Sequence, residues 1–250
     1  MAKIMVVTGA SRGIGAATAR LAAHHGYDVA VNYVGDRTAA EAVAADIRKI
    51  GRKALVVQAD IGKIEDIQRL FETVDAELGR LDVFFNNAGI IGAAARFVDI
   101  PPERVQRILA INTAGAFVAA QEAARRMSTQ LGGRGGVIIN MSSIAAKLGG
   151  ATEATDYALS KGAIDSLTVG LAKELAPEGI RVNAVRPGLI YTDIHASTGD
   201  ADRVDRLKVQ VPLQRGGTAE EVAEAVIWLC SDQASYCTGQ LLDVAGGRGL

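Results

Sequence analysis

Apolar positions along the chain gather into seven short runs, Ile4–Thr8, Val29–Asn32, Ala54–Gln58, Val83–Asn86, Val137–Met141, Arg181–Val185 and Leu241–Val244. Their length and β-branched content predict strands. Between most of them apolar residues recur at helical spacing, as in Ala16–His25, Arg104–Met127 and Tyr157–Ala176. Strands that are apolar on successive residues, rather than alternately, are buried on both faces, and right-handed helical crossovers connect such strands in parallel. The pattern therefore predicts an α/β chain: one doubly wound domain over residues 1–250, a seven-stranded parallel sheet flanked by helices. A ligand in such a fold sits at the carboxyl ends of the strands.

Composition narrows the function. Of 250 residues, 49% are apolar but only 4% aromatic, which suits helices packed closely on a sheet. The formal net charge is −1 with both signs interspersed, which excludes the basic face of a nucleic-acid binder and the polybasic cluster of a membrane-surface protein. No apolar run reaches membrane-spanning length, and Met1–Lys3 leads straight into the first strand without an export signal, so a cytoplasmic location is expected. Cys230 and Cys237 are not spaced as a redox pair, and no Cys/His spacing suggests zinc, so no metal is expected. No linker divides the chain. The glycine-rich stretches 131–136 and 246–249 read as turns or tail, while 188–217, broken by Pro187, Gly188, Gly199, Pro212 and Gly216, reads as a lid over the site.

After the first strand comes Thr8-Gly9-Ala10-Ser11-Arg12-Gly13-Ile14-Gly15, opening a helix. Gly9 permits the sharp turn, and Gly13 and Gly15 let the helix N-terminus approach a pyrophosphate. Alone, such a turn also has a plainer reading as a tight connection. Asp60, Asn86-Asn87-Ala88-Gly89 and Pro187-Gly188 follow the third, fourth and sixth strands, so all fall at the same end of the sheet. Two of them also have a plainer account: Asp60 as a helix cap, the asparagines as turn formers.

Tyr157 and Lys161 lie four residues apart on one helical face. A phenol with a pKa of about 10 shuttles protons poorly near neutrality, and an adjacent ammonium favours the phenolate. By itself this is an ordinary helical pair. The fifth strand ends Asn140-Met141-Ser142-Ser143, which offers a hydroxyl to a reacting oxygen.

Taken together, Thr8–Gly15, Asn86–Gly89, Tyr157-x-x-x-Lys161 and Pro187-Gly188 resemble the short-chain dehydrogenase/reductase family over essentially the whole chain. The resemblance implies a Rossmann fold and hydride transfer between a nicotinamide and a carbonyl or alcohol. It assigns Ser143, with Ser142 as alternative, Tyr157 and Lys161 to the reaction, Lys161 also to the nicotinamide ribose, and Asn112 to a water linking the lysine to solvent. It places Asp60 and Ile61 by the adenine, Asn86, Ala88 and Gly89 by the ribose, and Pro187, Gly188, Ile190 and Thr192 by the nicotinamide. It also implies a homotetramer built on helices 104–127 and 157–176.

Relatives using NAD(H) carry an acidic residue at the end of the second strand, to accept the ribose hydroxyls and repel a 2′-phosphate. Here the strand ends Asn32-Tyr33, with no carboxylate before Asp36, and Arg12 and Arg37 are available to a phosphate. NADP(H) is therefore expected, with NAD(H) left open should Asp36 turn inward. Ile91, Ala93, Ala145, Glu153, Leu189 and Tyr191 are expected near a small-molecule substrate, while His195, in the lid, could touch substrate but reads better as an exposed loop histidine. The pattern around Asn32-Tyr33 and Thr155–Ala163 resembles bacterial glucose-dehydrogenase-like members, which points to a sugar or polyol. A 3-oxoacyl-carrier-protein reductase, with Arg125 and Arg126 facing an acidic carrier, is the enzymatic alternative. A non-catalytic NADPH-binding sensor or scaffold is the alternative of another class.

Overall fold

The computed structural model describes residues 2–192, 200 and 202–250. Seven strands, β1 (Ile4–Val7), β2 (Asp28–Tyr33), β3 (Ala54–Gln58), β4 (Val83–Asn86), β5 (Gly136–Met141), β6 (Ile180–Pro187) and β7 (Leu241–Val244), form one sheet in the order β3-β2-β1-β4-β5-β6-β7. Every neighbouring pair is parallel. The expected strands stand within two residues of these bounds. Strand order reverses between β1 and β4, and the crevice opens there.

Strand periodicity sorts the core into two layers. Met5 and Val7 point to one face, under α1 (Gly13–His24) and α2 (Arg37–Lys49), and Ile4 and Val6 to the other, under α3 (Ile64–Glu77). Ala16, Ala19 and Ala23 bring α1 close to the sheet; on the opposite face Phe71 and Phe84 meet edge to face at 5.3 Å. Each such buried aromatic removes enough apolar surface from water for about 1.5–3 kcal/mol.

The single long helix expected over 104–127 is not continuous. It divides into α4 (Pro102–Leu109) and α5 (Ala116–Met127), joined by a wider π-helical turn, Ala110–Gly115. Gly115 lies against the Ile61 backbone so closely that an added Cβ would stand 1.9 Å from its oxygen. The widening brings Asn112 inward, where it is buried.

A short α6 (Ala145–Leu148) precedes α7 (Thr155–Leu175). Beyond β6, the two ends of the irregular segment are stitched together: Tyr191 N–H donates to Gly217 O at 2.9 Å and Gly217 N–H to Leu189 O at 2.9 Å. Leu189 packs with Val204, Leu207 and Val211, around α8 (Arg203–Leu207), in a small apolar cluster separate from the main core. The chain then enters α9 (Ala219–Cys230), whose N-terminus is closed by a reciprocal Thr218–Glu221 capping box. His195 lies outside the described residues.

Candidate active site

A cavity of about 810 Å³ runs along the carboxyl ends of the strands, from the β1 loop to the segment after β6. At one end Gly9, Ser11, Arg12, Gly13, Ile14 and Gly15 line it; Tyr33, Asp60, Ile61, Ala88 and Gly89 line its flank, and Pro187, Gly188, Ile190 and Thr192 its middle. No side chain caps the first turn of α1, whose N-terminus faces the cavity. Gly9 and Gly13 hold φ of +64° and +55°, which a side chain would strain. Gly15 has a different use from the one expected. A Cβ there would meet Gly9 O at 2.4 Å and Asn87 Nδ2 at 2.7 Å, so this glycine lets α1 abut the two loops instead of opening space for a phosphate.

Three of the residues expected at the site stand behind the cavity wall. Asn32 is fully buried: its Oδ1 accepts the Gly9 N–H at 3.1 Å, and its Nδ2 donates to Ala59 O at 3.0 Å. It shapes the β1 loop from beneath. Asn86 Nδ2 donates to Ala116 O and Asn140 Oδ1, which ties β4 to α5 and β5. Its neighbour Asn87, not singled out in the sequence, lines the cavity and donates to Thr8 O at 2.7 Å. Alternation at the strand end decides between the two. Asn112 Oδ1 accepts from Ile90 N–H, and its Nδ2 donates to Ile90 O and Ser160 Oγ.

Asp60 takes its expected place on the cavity but does not cap the helix. It lines the cavity while Oδ1 accepts the Gly62 N–H at 2.8 Å and Oδ2 meets Arg107 at 3.2 Å. The cap of α3 is Lys63, without a side-chain bond. At the second strand's end Tyr33 is buried and Arg12 exposed, both on the cavity. Asp36 also lines it, but its Oδ1 caps α2 by accepting the Ala39 N–H at 2.9 Å. Arg37 is turned toward Glu41 and is not on the cavity wall.

At the far end Ser143, Tyr157 and Lys161 converge. The two serines separate cleanly. Ser142 Oγ is committed to Asp165 at 2.7 Å, whereas Ser143 Oγ faces the Tyr157 phenol and accepts the Ala145 N–H at 3.1 Å. Lys161 Nζ donates to Met141 O at 2.7 Å and stands 5.6 Å from the centre of the Tyr157 ring.

Burial pushes the Tyr157 phenol above its ordinary value, opposed by the Ser143 hydroxyl and by the Arg203 guanidinium. Burial also brings Lys161 down to about 8, opposed by Asp165. The sequence suggested that Lys161 would draw the phenol down. In the fold both groups lose water together, and phenolate is favoured by the Ser143 hydrogen bond and the Arg203 charge.

Tyr157 is anchored by its neighbour. Asp156 Oδ1 accepts the Tyr157 N–H at 2.9 Å while the carboxylate, 2% exposed, grips Arg104 through two bonds of 2.7 and 3.1 Å. Arg104 also donates to Ala93 O, which turns Ala93 away from the cavity into this clamp. Ile91, Ala145, Glu153 and Leu189 do line the cavity; Tyr191 does not, its hydroxyl donating to Asp205. Arg203 and Arg248 line it too, and no local sequence pattern marked them. Among the described residues no cluster of three His, Cys, Asp or Glu is arranged to hold a metal, and no helix is long and apolar enough to cross a membrane. Cys230 and Cys237 are free thiols.

A family model described as enoyl-(acyl carrier protein) reductase matches residues 9–248. The uncharacterized oxidoreductase YgfF of Escherichia coli K12 is 51% identical over 245 residues, 98% of this chain and 99% of that protein. Among solved structures, a short chain dehydrogenase from Burkholderia cenocepacia J2315 in complex with NADP superposes with a TM-score of 0.92 at 34% identity, covering 99% of this chain and 98% of the other. The 3-ketoacyl-(acyl-carrier-protein) reductase from Brucella melitensis complexed with NADH gives 0.91 at 32% identity, with the same coverage.

Proposed function

This chain belongs to the short-chain dehydrogenase/reductase family, and on that premise we propose that it transfers hydride between NADP(H) and a carbonyl or secondary alcohol at Ser143, Tyr157 and Lys161. The observation that carries the proposal is the meeting of those three side chains at one end of a cavity whose other end is the glycine loop at the α1 N-terminus. The cavity fits a dinucleotide: helix α1 presents an uncapped N-terminus to it, and the backbone there could not carry side chains without strain.

Gly9, Ser11, Arg12, Gly13 and Ile14 would hold the pyrophosphate side, Asp60 and Ile61 the adenine, Ala88 and Gly89 the ribose, and Pro187, Gly188, Ile190 and Thr192 the nicotinamide. When bound, the nicotinamide supplies or accepts the hydride. In the reducing direction Tyr157 donates a proton to the carbonyl oxygen, and Ser143 stabilises the charge that develops there. Lys161 sits behind the tyrosine and holds the ribose side. Asn112, bound to Ile90 on both its amide atoms, steadies the loop in front of Lys161 and the water path behind it.

The preference for NADP(H) is supported by Tyr33, buried where an acidic residue would exclude a 2′-phosphate, and by Arg12 on the cavity rim. Asp36, committed to its helix cap, does not replace that acid. The lid reading of 188–217, of which 193–199 and 201 lie outside the described residues, is supported by Leu189, Val204, Leu207 and Val211, which form their own small core. A homotetramer is supported by Phe117 on α5 and Leu159 on α7, half exposed or more and apolar; light scattering tests it.

Turnover of aldehydes, ketones, sugars, polyols and acyl thioesters, followed by nicotinamide absorbance with each cofactor, tests the assignment. A sugar or polyol as best substrate fits the glucose-dehydrogenase resemblance. Selective turnover of 3-oxoacyl thioesters would favour the carrier-protein alternative, which the Brucella melitensis relative suggests. Arg125 and Arg126 give it little support, since both are held by Glu122 and Arg126 also by Asp75. Cofactor binding without turnover of any of these substrates would mark a sensor or scaffold instead.

A further inference from the structure

The glycine-rich tail has a structural purpose beyond a loose end. Gly246, Gly247 and Gly249 adopt φ of +60°, +89° and +97°, and a Cβ on them would meet Val211, Pro212 and Ile144 at 2.7, 2.8 and 2.7 Å. Only a chain without side chains at these positions threads between the segment after β6 and the turn that follows Ser143. The one side chain in this run, Arg248, is thereby delivered into the cavity, with its backbone N–H held by Ala245 O at 3.0 Å.

The surroundings of Arg248 are lopsided in charge. Ile144, Leu148 and Leu189 make this end of the cavity apolar, and beside Tyr157 and Lys161 the described ionisable groups there are Glu153, Arg203 and Arg248. Glu153 is occupied: its carboxylate forms an ion pair with Arg203 across the cavity, and its backbone O accepts the Ala95 N–H. Two guanidiniums thus stand near one carboxylate, which pairs with Arg203. Among the described residues, none forms an ion pair with Arg248. Burial disfavours its charge, Glu153 nearby opposes that and Arg203 adds to it, so an anion placed against Arg248 offsets both the lost water and the repulsion.

We infer that Arg248 is a specificity-determining residue that pairs with an anionic oxygen group, a carboxylate or phosphate, carried by the carbonyl substrate. The inference rests on the hydride-transfer reading above and names the substrate class for the same site. A guanidinium fork matches either group through two parallel bonds, and the apolar side chains beside it offer no competing acceptor. Glu153 fixes Arg203 and leaves Arg248 as the free donor.

The test compares matched substrates: straight-chain keto acids, their methyl esters and keto phosphates, in wild type, Arg248→Gln and Arg248→Lys. Arg48→Gln, on the exposed face of α2, serves as a control for the loss of one positive charge. The acid is expected to exceed its ester in kcat/KM by roughly ten- to a hundredfold, chiefly through KM. Arg248→Gln should collapse that ratio, and Arg248→Lys restore part of it. A phosphate preferred over a carboxylate, with the same dependence on Arg248, supports the inference and identifies the anion. An ester used as well as its acid, or equal losses on acid and ester in Arg248→Gln, overturns it.

A second measurement separates this inference from the reading it rests on. Thermal shift with butyrate and with butyramide, in the presence of NADP, reports anion binding without turnover. If no carbonyl is turned over, hydride transfer is refuted. Stabilisation by butyrate alone, lost in Arg248→Gln, would still support the anion site, and equal responses to butyrate and butyramide would overturn it.

Discussion

Replacing Asp156 by leucine should cost both stability and activity, because one carboxylate serves the fold and the reacting tyrosine together. Its side chain is 2% exposed and that of Arg104 17%, and the two share bonds of 2.7 and 3.1 Å. Removing one member of a buried pair leaves the other uncompensated, at a cost of about 3–5 kcal/mol. Arg104 keeps its bond to Ala93 O and some contact with solvent, which places the expected loss near the lower end, about 3 kcal/mol. For a chain of this size that lowers Tm by roughly 6–12 °C.

The Tyr157 N–H loses its acceptor in the same variant, so the first turn of α7 loosens where the phenol must be placed. A misplacement of about 1 Å costs on the order of a hundredfold in rate. Urea denaturation and steady-state kinetics on Asp156→Leu, Arg104→Met and the double variant measure both effects. The double variant should be less destabilised than the sum of the singles by at least about 1 kcal/mol, since it leaves no unpaired charge. Additive costs, or a loss below about 1 kcal/mol in Asp156→Leu, would refute the argument.

Further outcomes follow from other parts of the site. Tyr157→Phe should lower kcat by about a hundred- to ten-thousandfold while leaving cofactor binding measurable by fluorescence; unchanged turnover would remove tyrosine from the mechanism. Gly15→Ala should weaken both folding and cofactor binding, because its Cβ would collide with Gly9 O at 2.4 Å, whereas Gly170→Ala, with open space around it in α7, should raise stability by up to about 1 kcal/mol. Lys161, at about 8 in the fold against an ordinary 10.5, releases its proton earlier folded than unfolded. Its contribution to stability therefore rises with pH between about 8 and 10.5, and wild type should gain on Lys161→Met across that window by no more than about 1.4 kcal/mol per pH unit in denaturation experiments. Arg12→Ala should raise KM for NADPH more than for NADH; equal effects on the two would show that Arg12 does not meet the 2′-phosphate.

The linear sequence determined the parallel sheet, the helical crossovers between its strands and the end of it on which the glycine-rich loops gather. Those properties follow from local periodicity: continuous apolar runs, amphipathic stretches and glycines that the backbone itself requires. The same holds for Tyr157 and Lys161, whose shared face is set by helical spacing alone. Adjacent choices were harder to read. Asn86 and Asn87 are one residue apart, and only the register at which β4 ends decides that the first ties the core together and the second lines the cavity. Ser142 and Ser143 divide in the same way, because Asp165, far along the chain, claims the first.

Tertiary structure alone decided the charges around the reacting end. Arg104 meets Asp156, and Glu153 meets Arg203, across separations of about fifty residues, while Arg248 arrives from the far terminus. Burial then sets how much each charge counts, moving Lys161 down and Tyr157 up by removing water from both. Local pattern encodes which surfaces must be buried. Which side chains meet once they are buried depends on the packed fold.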